Sequence, residues 1–273
     1  MTDKNEMTSS KHIAGIIPVS KVQSDIDLLL HPSMLPIANG YYAVQRSIAE
    51  CSYLGCKTIW IVCEEDIAPV LKKVCGDFVL NLAQHERAKY AKFSSDLKRH
   101  VPIYYVPLSY KHMNKKGIGV SVMEGVYASY TISDKISKWV IPHRYYVSMP
   151  YGVYYPRNVD VRSLVKDNES VFLTHNGESA RTGAHLGFSF SARQFKHCSY
   201  LFKRMNTKGN YTLDNVFGDD IMIENSKAKE LDYYYDISTW KGYQEMMTDP
   251  IKVNGDWRWC FSNSFKKDER EVL

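Results

Sequence analysis

The stretch from Leu28 to Val62 constrains the fold more than any other part of the chain. It runs Leu28-Leu-Leu-His-Pro-Ser-Met-Leu-Pro-Ile-Ala-Asn-Gly40, continues through Gln45 and Arg46 to Leu54-Gly55-Cys56, and closes on Thr58-Ile-Trp-Ile-Val62. Two prolines break the loop, and Asn39 can cap a helix reaching about Tyr53. Tyr41, Val44, Ile48 and Cys51 then lie at 3-4-3 spacing on one face of that helix. Gly55 ends it, and Lys57–Cys63 follows as a nearly continuous apolar strand of the kind covered on both faces. A loop, an amphipathic helix, a tight turn and a buried strand in that order fit the first β-α-β unit of an α/β sheet.

The rest of the chain continues the alternation. Ile13–Val19 is a buried first strand interrupted by Pro18. Glu64-Glu65-Asp66 place acids at the start of a helix running to about Val74, before Gly76. Strands are expected at Pro102–Val106, Tyr145–Met149, Ser170–Thr174, Gly183–Phe190 and Tyr233–Tyr235. Helices are expected at Val120–Tyr130 and at about 191–204, 212–226 and 239–248. Strands alternating with helices predict an α/β fold, a Rossmann-like three-layer sandwich with a mainly parallel central sheet. Residues 1–11 read as a disordered polar tail, 12–250 as one α/β domain, and 251–273, with Trp257 and Trp259, as an extension packing on it.

Composition excludes some classes. The 273 residues carry a net charge of +5, spread along the chain, which suits an anionic small molecule and makes a weak case for nucleic acid. Lys111, Lys115 and Lys116, and Lys266, Lys267 and Arg270, read as solvated faces. Cys51, Cys56, Cys63, Cys75, Cys198 and Cys260 form no CxxC pair, so no zinc site is expected. Unpaired thiols, a polar first dozen residues and no run of ~20 apolar residues point to a cytoplasmic protein without a membrane span. The twenty tyrosines fall largely at strand-like positions, where β-propensity accounts for them better than base stacking does.

The order of these pieces resembles the sugar-phosphate nucleotidyltransferase family, which has the nucleotide-diphospho-sugar transferase (GT-A-like) fold. The family opens with a strand, a Gly-rich Arg-bearing loop, and a Pro-Lys-x-Leu-x-Pro-Ile segment leading into a helix. Pro32-Ser-Met-Leu-Pro-Ile37 resembles that segment, with Ser33 at the lysine and one residue fewer before the second proline. Gly117-Ile-Gly-Val-Ser121 resembles the Gly-rich turn that contacts the nucleobase. Tyr235-Asp236-Ile237-Ser238-Thr239 resembles the C-terminal Asp-Ile-Asp-Thr motif, and the segment from Thr182-Gly183 to Ser189 resembles the acceptor-side strand. The likeness spans roughly residues 12–248.

The resemblance implies transfer of a nucleotidyl group from a nucleoside triphosphate to a sugar phosphate or similar phosphorylated small molecule. It implies Mg2+, with Asp236 as a metal ligand. Gly15, Ser33, Gly117, Gly119 and Ser121 fall at the nucleotide-binding positions, and Lys21 stands for the phosphate-loop cation beside Asp236. Such chemistry needs cations and positioning to neutralise the phosphates. The family's arginine, its lysine at position 33 and the acid at the end of the central strand are missing: that strand ends Val147-Ser-Met-Pro-Tyr-Gly152.

Simpler readings stand beside these. Gly15 fits a packing role, Lys21 a solvated one, and Asp236 a helix cap; Gly218-Asp219-Asp220 reads as a turn or helix start rather than a metal site. His31, His175 and His185 fall near the rim with no fixed role. Two other functions remain open: a non-catalytic protein retaining the fold, and a glycosyltransferase using Asp25-Ile26-Asp27 or Asn158-Val159-Asp160.

Overall fold

A computed structural model describes residues 12–20, 24, 26, 31–38, 40–83, 100–108, 115, 117–155, 170–195, 211–216 and 226–249. Among these, nine strands form one sheet, and elements are numbered here in chain order. The centre is four parallel strands: β6 (His100–Pro107), β4 (Thr58–Cys63), β1 (Ile13–Pro18) and β7 (Arg144–Val147), side by side in that order. β11 (Phe188–Ser191) runs antiparallel beside β7, followed by β9 (Val171–His175) and β10 (Glu178–Ser179). β5 (Phe78–Leu80) lies antiparallel on β6 at the other edge, and β12 (Lys227–Glu230) pairs parallel with β9. β12 reads Lys-Ala-Lys-Glu and is mostly exposed, charged chemistry suited to an edge. The sheet is therefore mixed with a parallel centre, in agreement with the α/β expectation.

Helices cover both faces, as the period of two in the strands requires. Ile13 and Ile17 of β1 and Ile59, Ile61 and Cys63 of β4 pack with Val44, Ile48 and Cys51 of α1 (Ala43–Tyr53) and Leu71 of α2 (Ala68–Cys75). Ala14, Ile16, Trp60 and Val62 point the other way, onto Val120, Met123 and Val126 of α3 (Ile118–Ile136). A third cluster lies outside α1. It joins Ala43, Ala49 and Tyr53 to Leu35, Ile37, Tyr151, Val153, Ile237 and, from α4 (Trp240–Thr248), Met246.

That third cluster corrects the reading of α1 as a helix with a solvent face, because all eleven of its residues are buried. Its start is also corrected: Pro36–Ala38 (β2) and Tyr41–Tyr42 (β3) pair around Gly40, so the helix opens at Ala43, and the Tyr42 N–H donates to Gln45 Oε1 at 3.0 Å. The helix expected from Glu64 begins at Ala68; the Glu64 carbonyl accepts from Ile67 and Ala68 in the preceding turn. α3 runs beyond Tyr130 to Ile136. The strand expected at Tyr233–Tyr235 is the two-residue β13 (Tyr235–Asp236), paired with β8 (Gly152–Val153). Residues 192–195 and 213–216 are helical; the remainder of the two helices expected there, Asn39 and the terminal segments 1–11 and 251–273 lie outside the described residues.

Candidate functional site

The strand order reverses between β1 and β7, whose neighbours on either side lead away in opposite directions. In open α/β sheets ligands sit beyond the carboxyl ends of the strands at such a point. β1 runs on there into Val19 and Ser20, and β7 into Ser148 and Met149. The Ser148 N–H donates to Ile16 O at 2.9 Å, and the Tyr151 hydroxyl to Val19 O at 2.9 Å, closing the two strand ends together. The first turn of α3 joins them: Ser121 Oγ donates to Ser20 O at 2.7 Å and lies 2.8 Å from Ser20 Oγ. Ser121 is thus beside the end of β1, at the first loop. Lys21 follows one residue later but lies outside the described residues.

Asp236 comes to the same end of the sheet through the β8–β13 ribbon, directly opposite Gly152. The Ile237 N–H donates to Tyr151 O at 2.8 Å, so the turn after β7 and the Asp236 segment are tied by main chain. Asp236 Oδ1 accepts from Ser238 N–H at 2.9 Å and Ser238 Oγ at 2.7 Å, and lies 3.0 Å from His185 Nδ1. Burial pushes this carboxyl up; the hydrogen bond and charge of His185 and the two Ser238 bonds outweigh it and hold the pKa below the usual aspartate value. The helix cap is Thr239, whose Oγ1 accepts from the Gly242 N–H at 3.1 Å. Asp236 instead shapes the turn before the helix.

The remaining candidates fall in different places. Gly15 is in the middle of β1 under α1, where a Cβ would stand 2.7 Å from Cys51 Sγ, so close packing accounts for glycine. Gly117 opens α3 with φ +98°. The Gly119 N–H is engaged by Tyr211 O at 3.1 Å, and a Cβ at 119 would lie 2.7 Å from Thr212 O. Ser33 is fully buried in a 3-10 turn and lies 2.8 Å, through Oγ, from His31 Nδ1. Burial holds the His31 pKa down against the opposing charge of Asp66. The loop carrying Ser33 reaches the site through Ser24 Oγ, which donates to Ser238 O at 2.7 Å, and through the Tyr243 hydroxyl, which donates to Pro36 O at 2.9 Å. Lys115 is buried beside the Tyr211 ring, its nitrogen 5.4 Å from the centroid, which corrects its reading as part of a solvated face. Lys111, Lys116, Lys266, Lys267, Arg270, Asp25, Asp27, Asp160, Cys198, Cys260 and Gly218-Asp219-Asp220 lie outside the described residues.

Beneath the end of β7 lies a charged cluster that sequence reasoning missed. Arg46 and Glu50 are both fully buried, with Nη1 to Oε2 at 3.1 Å. Arg46 Nη2 donates to Met149 O at 2.8 Å and Ser47 Oγ at 2.9 Å, and the guanidinium carbon lies 4.5 Å from the centroid of the Tyr154 ring. Glu50 Oε1 accepts from the hydroxyls of Tyr146 and Tyr154 at 2.6 Å each, and Oε2 from Ser148 Oγ. Burial and the Glu50 charge hold both phenols well above their usual pKa, so they remain donors. The tyrosines of this region are thus core and floor, not base-stacking platforms. An i,i+4 Arg–Glu pair on a helix usually signals an exposed face, which is why nothing in the sequence flagged it.

Among the described residues no group of three His, Cys, Asp or Glu side chains can hold a metal ion. Asp236 keeps Oδ2, which no described residue bonds, and Glu64, directly after β4 at the same end of the sheet, keeps a buried Oε2 without a hydrogen-bond partner among the described residues. Such a set fits a Mg2+ held by one or two carboxylates with water and substrate phosphates, and does not fit an all-protein cage. No described helix is long and apolar enough to cross a membrane.

Comparison with known proteins agrees with this geometry at the level of fold. A protein of Bacillus anthracis assigned as a glucose-1-phosphate thymidylyltransferase, crystallised in complex with a sucrose, superposes with a TM-score of 0.52 at 11% sequence identity, over 86% of this chain and 94% of that one. The chain thus has a nucleotidyltransferase-like fold. No protein-family profile and no curated protein sequence matches it.

Proposed function

We propose that this protein binds a nucleoside triphosphate or nucleotide-sugar together with a phosphorylated small molecule at the β1–β7 switch point, and transfers a nucleotidyl group to that acceptor. The observation that carries the reading is the convergence of three separate segments there. Ser20, just after β1, touches Ser121 in the first turn of α3, and Tyr151 ties the Asp236 segment to the same strand ends, its hydroxyl donating to Val19 O and its carbonyl accepting from the Ile237 N–H. Their order matches the family resemblance, and the fold of the thymidylyltransferase-like structure supports it.

In this reading the start of α3 turns its positive dipole end toward the nucleotide, while the Gly119 N–H stays committed to Tyr211 O. Asp236 holds Mg2+ through Oδ2, and the ion when bound neutralises phosphate charge. Lys21 supplies a further cation beside the first loop. Purified protein is expected to release pyrophosphate from one member of a panel of ATP, CTP, GTP, UTP and dTTP given glucose 1-phosphate and magnesium. Asp236→Ala is expected to lower that rate at least a hundredfold, on the order of 3 kcal/mol of transition-state stabilisation. Release at the wild-type rate by Asp236→Ala would contradict the assignment.

A second reading, a binding protein without catalysis, draws on one specific observation. The end of β7, where the family resemblance puts a metal-binding acid, carries Ser148, and its hydroxyl is committed to Glu50. Nucleotide binding without pyrophosphate release is the result expected from it. The glycosyltransferase reading rests on Asp25, Asp27 and Asp160 alone.

A further inference from the structure

His185 precedes β11 and is fixed from several directions at the site. Its Nδ1 lies 3.0 Å from Asp236 Oδ1, and its backbone N–H donates to the Tyr234 hydroxyl at 2.8 Å. Its ring centroid is 5.5 Å from that of Tyr151, the residue that also closes β1 onto β7. Its carbonyl presses on Gly152 so closely that any Cβ at 152 would collide with it. The side chain keeps 15% of its surface open. A carboxylate at one ring nitrogen holds the proton there and sets the ring's orientation. Nε2 is then the ring's one polar atom with capacity for another partner, and no described group takes it.

His175 shows what a structurally committed histidine looks like in the same molecule. Its Nδ1 lies 3.0 Å from Leu231 O and its Nε2 3.2 Å from Asn176 Nδ2, so both nitrogens are used. His185 is held just as firmly with one nitrogen left over, and it stands at the switch point rather than at the sheet edge.

We infer that His185 contacts the ligand: its Nε2, left as an acceptor by the proton held on Nδ1, accepts from a hydroxyl of the phosphorylated molecule bound beyond β7, and Asp236 is the positioning residue that holds the ring. This rests on the phosphate-binding reading above. It also gives Asp236 a role that does not require a metal, because Oδ1 serves His185 while Oδ2 stays open.

The experiment uses the full chain in EDTA, with glucose 1-phosphate and dTTP as probes, following binding by calorimetry and folding by thermal melting. His185→Asn places an amide N–H near the Nδ1 position, keeps a bond to Asp236 and removes Nε2. It is expected to melt as the wild type does and to bind at least one probe more weakly by about tenfold to a hundredfold. His185→Gln, whose longer amide reaches toward the Nε2 position, is expected to recover part of the loss. Adding Asp236→Asn to His185→Asn is expected to cost nothing more, since both act through one contact.

Wild-type affinity for both probes in His185→Asn overturns the inference and leaves the binding reading standing. Binding by the wild type only when magnesium is present also overturns the inference alone. No binding of either probe by the wild type, in EDTA or in magnesium, overturns both. If His185→Asn melts at a lower temperature, His185→Phe, which keeps the ring packed on Tyr151, is judged by the same outcomes.

Discussion

Two acid–base pairs, Arg46–Glu50 and His185–Asp236, lie near the end of β7, and they are built in opposite ways. Arg46 and Glu50 are 0% exposed, and both Glu50 oxygens are occupied, by Arg46, two phenols and a serine hydroxyl. His185 and Asp236 are 15% and 32% exposed, and each keeps one polar atom that no described residue engages. The first pair fixes backbone, through Arg46 on the Met149 carbonyl. The second presents unused hydrogen-bonding capacity at the surface. A buried pair satisfied on every carboxylate oxygen can position a site but has little left to offer a ligand; a pair at the rim can do the chemistry. The difference makes the first pair part of the floor and leaves the second with hydrogen-bonding capacity to offer a ligand.

The largest stability effect should come from breaking the buried pair. Arg46→Met strands the Glu50 carboxylate in the interior and is expected to cost about 3–5 kcal/mol, read by urea unfolding. Arg46→Met with Glu50→Leu removes both charges, and the double variant should be more stable than Arg46→Met alone by at least ~1 kcal/mol. An additive pair of losses would mean the two side chains act separately.

Gly187→Ala comes next. A Cβ there would run into the Tyr146 and Tyr154 hydroxyls that serve Glu50, and overpacking of this kind costs about 1–3 kcal/mol. The rim pair should respond differently: Asp236→Asn is expected to change stability at pH 7 by less than about 1 kcal/mol, since the pair is partly solvated. Because the folded-state pKa of Asp236 is lowered, its contribution is present above the unfolded value near 4 and lost as pH falls through the folded one, so the variant should flatten acid unfolding only below about pH 4.

His12 gives a separate pH signature at the far end of the sheet. Burial, then the charges of His143 and Lys57, lower its pKa to about 4. The folded state therefore disfavours its protonation, and stability present above pH 6.5 should decline as pH falls from there toward 4. After allowance for partial exposure the decline is about 1–2 kcal/mol, and His12→Asn should remove it. The smallest effect is expected at Lys241, whose side chain is 87% exposed beside Glu245: Lys241→Ala should change stability by less than about 0.5 kcal/mol.

The parallel centre of the sheet was legible in the sequence, because β1, β4, β6 and β7 are apolar runs separated by helical patterns. The two- and three-residue strands β2, β3, β5, β8 and β10 were not, since a period of two needs more residues than they contain; β13 was expected, two residues early, at Tyr233–Tyr235. The site was legible in part. Asp236 and Ser121 stood out by motif, and both lie at the switch point. Gly15 and Gly119 stood out as well, but their surroundings explain glycine by close packing. Arg46 and Glu50 carried no signal, and His185 stood near the rim with no fixed role, because their roles depend on partners 49 to 104 residues away or on a helix buried on both faces. Local pattern reports on neighbours along the chain, and these residues are defined by neighbours across the fold.

The most direct measurement of the switch-point assignment is a thermal-shift comparison of wild type and Asp236→Ala across the five triphosphates, each with and without magnesium. A ligand bound by the native state alone raises its melting temperature by mass action. A rise with at least one triphosphate, larger with magnesium in the wild type and indifferent to magnesium in Asp236→Ala, is the expected result. No rise with any triphosphate, or the same magnesium dependence in both proteins, would contradict it.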